Sequence, residues 1–533
     1  MMKKMILFFL AIILLAGCTP YMDDSDIFPP ETIFFNTPSP TAAPLPPQIT
    51  PIVQSGGVIS VTMPLPQTLN PLLNTDPAVD LALQLMFQPL AVIGDNLFPI
   101  ANENLVESIT FSTDGTVAFV TLINNARWSD GTMITASDVV FSINLLKDAP
   151  LDVFHKNRIE NILSASATDS RTTRIVLNTP TGGAAYFLCF PIIPESHFGG
   201  AERLNIYASQ NMNPVGSGAF RFNYRHYAQY ISLVRNDYAP NVSYLNGIKI
   251  ILTSDDDTNF HAFSQNVAQT YFAPFYDRRL FRDLPNTTAK EFPSRYFEFV
   301  GFNHNMPLFQ DEMVRRAIAY CLPINEIQRD AFAGSLFPAP AFVATRSWLF
   351  DPTAAHREPN IDIAREALLS STFSPHNHNL IITILVNNDN YERVRTAEIL
   401  RNRLNRIGFA STVDAVPFEV YLQRLEANNF DLFIGGFSMG LNSDFAFAIG
   451  SGGVLGFSNT QTDALLNNIL TSATRDDYFR YMGELQRHIL EYLPFIGLGF
   501  RNSALLVRSH VNGTTPASPT NAYMGVNNWW IEN

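Results

Sequence analysis

Gly436-Phe437-Ser438-Met439-Gly440 carries the plainest nucleophilic potential in this chain, a G-x-S-x-G. In α/β-hydrolases that spacing sets a serine on a tight strand-to-helix turn and raises its hydroxyl toward a histidine and an oxyanion hole. A strand-like run, residues 430–435, precedes the motif as such chemistry requires. What surrounds it does not fit: Leu441-Asn442-Ser443-Asp444 opens no helix, and no His-Gly-Gly oxyanion segment lies upstream. His488 and His510 fall in patterns that read as helix and strand scaffold. A serine hydrolase acting through Ser438 is therefore the alternative reading, and no catalytic residue is assigned. The histidines form no H-x-x-x-H or Cys-His cluster, and His376 and His378 share a polar loop. Asp255-Asp256-Asp257 lacks the glycine and glutamate of a calcium loop and reads as a helix start near Asn259. There is no G-x-x-x-x-G-K-[ST] phosphate loop. No cofactor and no metal are expected.

The elements around these residues alternate in type. Residues 56–63 alternate like a strand, residues 78–87 show helical apolar spacing, and residues 118–123 form a second strand after the Asp114-Gly115 turn. A second Asp-Gly turn at 130–131 leads to a helix opening at Thr135, with Asp138 three positions on as a capping partner. Val314-Arg315-Arg316-Ala317-Ile318 reads as an amphipathic helix with both arginines in solvent. Gly216 and Gly218 permit tight backbone passage.

With 533 residues, 46% of them hydrophobic and only 16% charged, the chain can bury more than one core, which excludes bulk disorder. A net charge of −13 argues against nucleic acid. Residues 5–126 hold ten acids and no lysine or arginine, so most of that charge lies in the first quarter of the chain. Met1–Lys4 is a short basic start, and residues 5–17 are an apolar run too short to cross a bilayer. The ending Leu15-Ala16-Gly17-Cys18 resembles a bacterial lipobox, which makes residues 1–17 a signal peptide and Cys18 the lipidation site. Residues 18–55 are rich in proline and contain no base, so an extended tether is expected, its acids standing off from an anionic membrane. Cys189 and Cys321 lie in apolar contexts and read as free thiols.

The run from Leu105 to Leu146, "LVESITFSTDGTVAFVTLINNARWSDGTMITASDVVFSINLL", resembles the signature of the extracellular solute-binding proteins of peptide, dipeptide and nickel ABC importers (solute-binding protein family 5). "NPVGSGAFRF" at 213–222, "FVGFNHNMPLFQDEMVRRAIAYCLPINEI" at 299–327, "TDALLNNIL" at 462–470 and "LPFIGLGF" at 493–500 are similar to later family segments in the same order. The resemblance implies an α/β, large bilobal periplasmic-binding-protein-like fold of type II, with an enlarged lobe I and two hinge strands. Lobe I would take 56–297 and 503–533, and lobe II would take 298–502. The crossings near 297–303 and 494–501 carry Gly301, Gly497 and Gly499, as expected of strands that flex at a junction.

In function, the resemblance implies a lipid-anchored binding component on the outer face of a bacterial cytoplasmic membrane or in the periplasm. Its partners would be a peptide or peptide-like solute and membrane permease subunits, with a monomer expected, no nucleic acid, and membrane contact through the lipid alone. A sensor or scaffold lipoprotein of the same fold is a further alternative. The family's strand ending Gly-Trp-x-x-Asp, whose Asp holds a peptide's amino group, falls on Gly436 to Gly440, so Phe437 stands at the Trp and Gly440 at the Asp. That carboxylate is missing, and Asp444 is the nearest substitute. Backbone groups at Gly436 and Ser438 remain able to pair with an extended ligand. Thr75 and Asp76 match a loop bordering the cleft, although Asp76 equally suits a helix cap. Trp348 matches a loop that brings an aromatic over the ligand, and Phe299 and Phe500 at the crossings suit the cleft floor or hinge packing alike.

Overall fold

The computed structural model describes residues 53, 55–355, 357–442, 445–515, 517–518 and 520–532. The leader, Cys18, Asp444 and all of the tether except residues 53 and 55 lie outside the described residues.

A seven-stranded sheet runs through the middle of the molecule. Its order is Thr270–Ala273, Phe495–Arg508, Thr287–Phe302, Leu432–Ser438, Leu380–Asn387 and Phe409–Val416, with Leu336–Pro338 pairing onto Phe495–Arg508. Two long members, Thr287–Phe302 and Phe495–Arg508, are antiparallel neighbours from Thr287↔Arg508 to Gly301↔Phe495. They carry the chain between two hydrophobic bodies. One core gathers residues from Ile59 to Phe292 together with Leu505 to Trp529. Another gathers Val300 to Leu498, and an aromatic cluster that includes Phe297, Phe299, Phe342, Phe445, Phe495 and Phe500 packs beside it. The first body also holds two four-stranded sheets, one containing Val58–Pro64, Gly247–Thr253, Tyr230–Arg235 and Phe220–His226, the other Val106–Phe111, Val117–Leu122, Thr172–Leu177 and Ile162–Ala167.

Local chemistry explains where elements begin and stop. Thr135 and Asp138 form the reciprocal capping box of the helix Ala136–Asp148. Asp138 does more than cap: its carboxylate also accepts from the indole of buried Trp128 at 3.3 Å and from Glu195 N at 2.9 Å. It thus ties a turn, a helix start and a distant loop together, so this part of the signature is scaffold. Asp138→Ala strands buried donors as well as the cap, and a loss of about 2–4 kcal/mol is expected, measured as the urea midpoint. Asp255 caps the helix Asp256–Ser264 through Thr258 N, as the acidic run suggests.

The helix anticipated over 78–87 spans only Pro77–Leu83. The carbonyls of Leu85 and Met86 accept instead from Phe220 N at 3.0 Å and Gly218 N at 2.7 Å, so tertiary pairing outcompetes another helical turn. Glycine is required there, because a Cβ on Gly216 would meet the Met86 oxygen at 2.0 Å. Arg315, expected in solvent, is 5% exposed and donates to the carbonyls of Phe309, Gln310 and Tyr492, while Arg316 stays half-buried and pairs with Glu312. The buried guanidinium caps carbonyl groups left open at the C-terminal ends of the helices Pro307–Gln310 and Arg475–Tyr492. The crossing glycines answer close packing: a Cβ on Gly499, at φ +151°, would meet the Phe337 oxygen at 2.2 Å, and one on Gly301 the Phe433 ring at 2.1 Å. Cys189 and Cys321 are free, and burial pushes each thiol up to about 12.

Candidate functional site

The G-x-S-x-G strand, Leu432–Ser438, pairs with the first crossing strand from Phe302↔Leu432 to Tyr296↔Ser438. Its other edge meets Leu380–Asn387 only at Leu432 and Phe433. Beyond that point only the edge facing the crossing strand stays paired, and past Ser438 the contact continues as Met439 N donates to Arg295 O at 2.8 Å. Phe437 is half-buried and stacks on Phe299, with ring centroids 5.4 Å apart. Phe299 is fully enclosed and Phe500 nearly so, both within the aromatic cluster under Phe437. Gly436 needs to be glycine, since a Cβ would meet the Phe297 oxygen at 2.6 Å, and its carbonyl accepts from the Tyr296 hydroxyl at 3.2 Å. Ser438 is exposed and has no side-chain hydrogen bond among the described residues, and His488 is engaged 2.7 Å from Thr462 Oγ1. The strand therefore ends in an exposed tip, and among the described residues no histidine is hydrogen-bonded to the serine. At Gly440 an added Cβ would meet only the Asn442 side chain at 2.8 Å, so space for a side chain exists there.

Thr75 and Asp76 lie in the loop that leads into the helix Pro77–Leu83. Thr75 is exposed, and Asp76 caps the helix Pro77–Leu83 through Ala78 N at 2.8 Å. The same helix carries Asp80, buried and bound to His155 Nε2 at 2.8 Å. Phe154 N donates to Asn74 O at 2.8 Å, which fastens the short turn Lys156–Ile159 beside the loop. Arg295 lies within electrostatic reach of both Asp80 and Arg158.

Trp348 is placed where the two bodies meet. Its main-chain N donates to Asn96 O at 2.8 Å, and its indole donates to the Tyr186 hydroxyl at 2.9 Å, which in turn donates to Leu97 O at 2.9 Å. Burial pushes the Tyr186 hydroxyl up, so it stays protonated and able to serve both bonds. Phe98 meets the indole edge-on at 5.1 Å, and the Arg475 guanidinium lies 4.0 Å from the Phe98 ring centre. Nearby, Gly182 N donates to Ser472 O at 2.7 Å. These contacts bring residues 96–98 and 182–186 of the first body onto residues 348 and 472–478 of the second.

Sequence reasoning missed an ionic network at the crossing. Glu298, with a fully buried side chain on the first crossing strand, binds Arg393 Nε at 3.0 Å and stands 3.6 Å from Arg501 on the second. Arg501 also pairs with Glu392 at 3.1 Å, and Arg393 donates to the Tyr296 hydroxyl at 3.1 Å. Burial works against the Arg393 charge, but Glu298 together with Tyr296 and Tyr421 more than offsets it and holds the guanidinium above its usual range. These partners are far apart in the chain, and no local pattern marks them.

Comparison with known proteins identifies the family. A family model described as bacterial extracellular solute-binding proteins, family 5, matches residues 101–456. The chain belongs to that family. The dipeptide-binding protein DppE of Bacillus subtilis is 23% identical over 467 residues, covering 80% of this chain and 84% of DppE. The oligopeptide-binding protein AppA of the same organism is 21% identical over 513 residues, covering 90% and 92%. Among solved structures, the substrate-binding protein CtaP of Listeria monocytogenes shares the fold with a TM-score of 0.76 at 21% identity, over 90% of this chain and all of CtaP. As a family 5 protein it is a solute-binding protein of the extracellular class. Among the described residues no helix is long and apolar enough to cross a membrane.

Proposed function

We propose that this protein is the lipid-anchored substrate-binding component of an ABC importer, taking up a peptide or peptide-like solute and delivering it to a membrane permease. Lobe I comprises residues 56–297 and 503–533, and lobe II comprises 298–502. The solute lies between them, against Phe437, Ser438 and the Gly436 backbone on one side and Thr75 and Asp76 on the other. Phe299 and Phe500 support it from beneath, and Trp348 closes the rim. Asp444 is the candidate to meet a peptide's amino group in place of the carboxylate missing at Gly440.

The observation that carries this reading is Arg295, on a crossing strand, bonded through its carbonyl to the tip of the Leu432–Ser438 strand and within electrostatic reach of Asp80 beside the Thr75–Asp76 loop. A ligand placed there touches both bodies and the strands that join them, so its binding energy can drive closure. The relatives named for dipeptide and oligopeptide binding favour a peptide.

Native mass spectrometry of the purified protein, followed by titration with dipeptide and oligopeptide libraries, tests the reading. A one-to-one solute complex displaced by peptides is expected. A protein that carries no solute and retains no library member contradicts it. Trp348→Phe keeps the ring packing but removes the donor to Tyr186, and calorimetry is expected to show affinity about 2–10-fold weaker, the equivalent of one neutral hydrogen bond in the closed form.

A further inference from the structure

Most arginines around the crossing strands have a carboxylate or carbonyl partner; among the described residues, Arg158 and Arg295 have none. Arg158 stands on the turn Lys156–Ile159, half-buried, with its Nε shut off from solvent and without a hydrogen-bond partner among the described residues. Arg295, also half-buried, makes no side-chain hydrogen bond or ion pair among the described residues, and only its main-chain carbonyl is used, by Met439 N. Burial, with the charge of Arg158 adding to it, pushes the Arg295 guanidinium down to about 10, so two like charges are held together where water helps little. Asp80, whose charge acts on both arginines, is already engaged by His155 at 2.8 Å and by the Gln84 amide at 3.2 Å. Two more enclosed polar atoms in this cluster, His155 Nδ1 and Gln84 Oε1, also lack partners. Buried polar groups in folded proteins are bonded as a rule, and orphans gathered in one place need an explanation. In a chain of net charge −13, a buried surplus of positive charge beside a ligand cleft is a further departure from the average.

We infer that Arg158 and Arg295 form an anion-holding subsite of the cleft, and that the captured solute carries a carboxylate seated between the two guanidinium groups. This rests on the solute-binding reading above. Charge-assisted, forked hydrogen bonds from arginine match the two oxygens of a carboxylate and would satisfy donors that have no other partner. The loop Thr75–Asp76 and the tip Phe437–Met439 flank the subsite, so the rest of the solute extends along residues already placed at the cleft. The arrangement costs stability in the free protein, because unpaired charges are kept out of water.

The test compares retention of a tripeptide library as free acids with the same library as C-terminal amides, for the full chain, for Arg158→Gln/Arg295→Gln and for Arg158→Lys/Arg295→Lys. The native protein is expected to retain acids at least about tenfold better than amides. The glutamine variant should lose that preference and the lysine variant keep part of it. Without solute, the glutamine variant should unfold about 2–4 °C higher than the native protein, the opposite of what loss of a structural arginine would do. Equal retention of acids and amides by the native protein, or an undiminished preference in the glutamine variant, overturns the inference. If neither library is retained, the peptide reading fails and millimolar succinate decides the subsite. A rise in unfolding temperature for the native protein and none for the glutamine variant upholds it, and equal responses overturn it.

Discussion

Replacing Glu298 with alanine is expected to lower stability by about 3–5 kcal/mol, the largest effect of any single change at the crossing. Its side chain is fully enclosed and stands between Arg393 and Arg501, and its removal leaves two buried guanidinium groups with less counter-charge. Arg501 retains Glu392, but Arg393 keeps only neutral acceptors in Asn387 and the Tyr296 hydroxyl. The penalty comes from the stranded charge more than from the attraction lost. Glu298→Met with Arg393→Met removes both ions and should therefore recover much of the loss, to within about 2 kcal/mol of the native protein. Urea midpoints of the two variants check this. A Glu298→Ala loss below about 1 kcal/mol would show that the network does not hold the junction.

Gly182→Val acts on function with little effect on the cores. A Cβ there would stand 2.2 Å from the Thr474 oxygen and 2.7 Å from its carbonyl carbon. Those are backbone atoms at the start of the helix Arg475–Tyr492, so no rotamer change relieves the clash. The loop would have to lift from the second lobe, breaking the Gly182–Ser472 bond and loosening the neighbouring Trp348 contacts. If solute binds the closed form, the energy needed to close is subtracted from binding, and affinity should fall at least about tenfold. Each lobe's core is untouched, so the urea midpoint should stay within about 0.5 kcal/mol of native. Unchanged affinity, measured by calorimetry with the solute released from the native protein, would mean that this contact plays no part in capture.

How far the sequence could be read depends on the range of the interactions involved. Short-range chemistry is legible: Thr135 with Asp138, the acidic cap at Asp255 and the tight passage at Gly216 and Gly218 all stand as their spacing suggests. Where a distant segment competes, the pattern misleads. The helix after Asp76 stops early because residues 218–220 capture its next carbonyls, and Arg315 turns inward because open carbonyls wait there. Glycines at the crossing reflect the approach of residues 337–340, which no window around Gly497 or Gly499 reveals. The same limit hides the charge clusters. Glu298 and Arg393, like Arg158 and Arg295, meet only after the chain has folded, and each alone looks like an ordinary surface residue. Phe437 and Ser438 were visible because they follow a recognisable strand.

Small-angle scattering of the full chain, before and after stripping of bound solute, tests the central claim most directly. The account predicts a larger radius of gyration for the stripped protein and a return to the smaller value when the released solute is added back, as two lobes open and close about the crossing strands. A scattering profile that is the same in both states would contradict it.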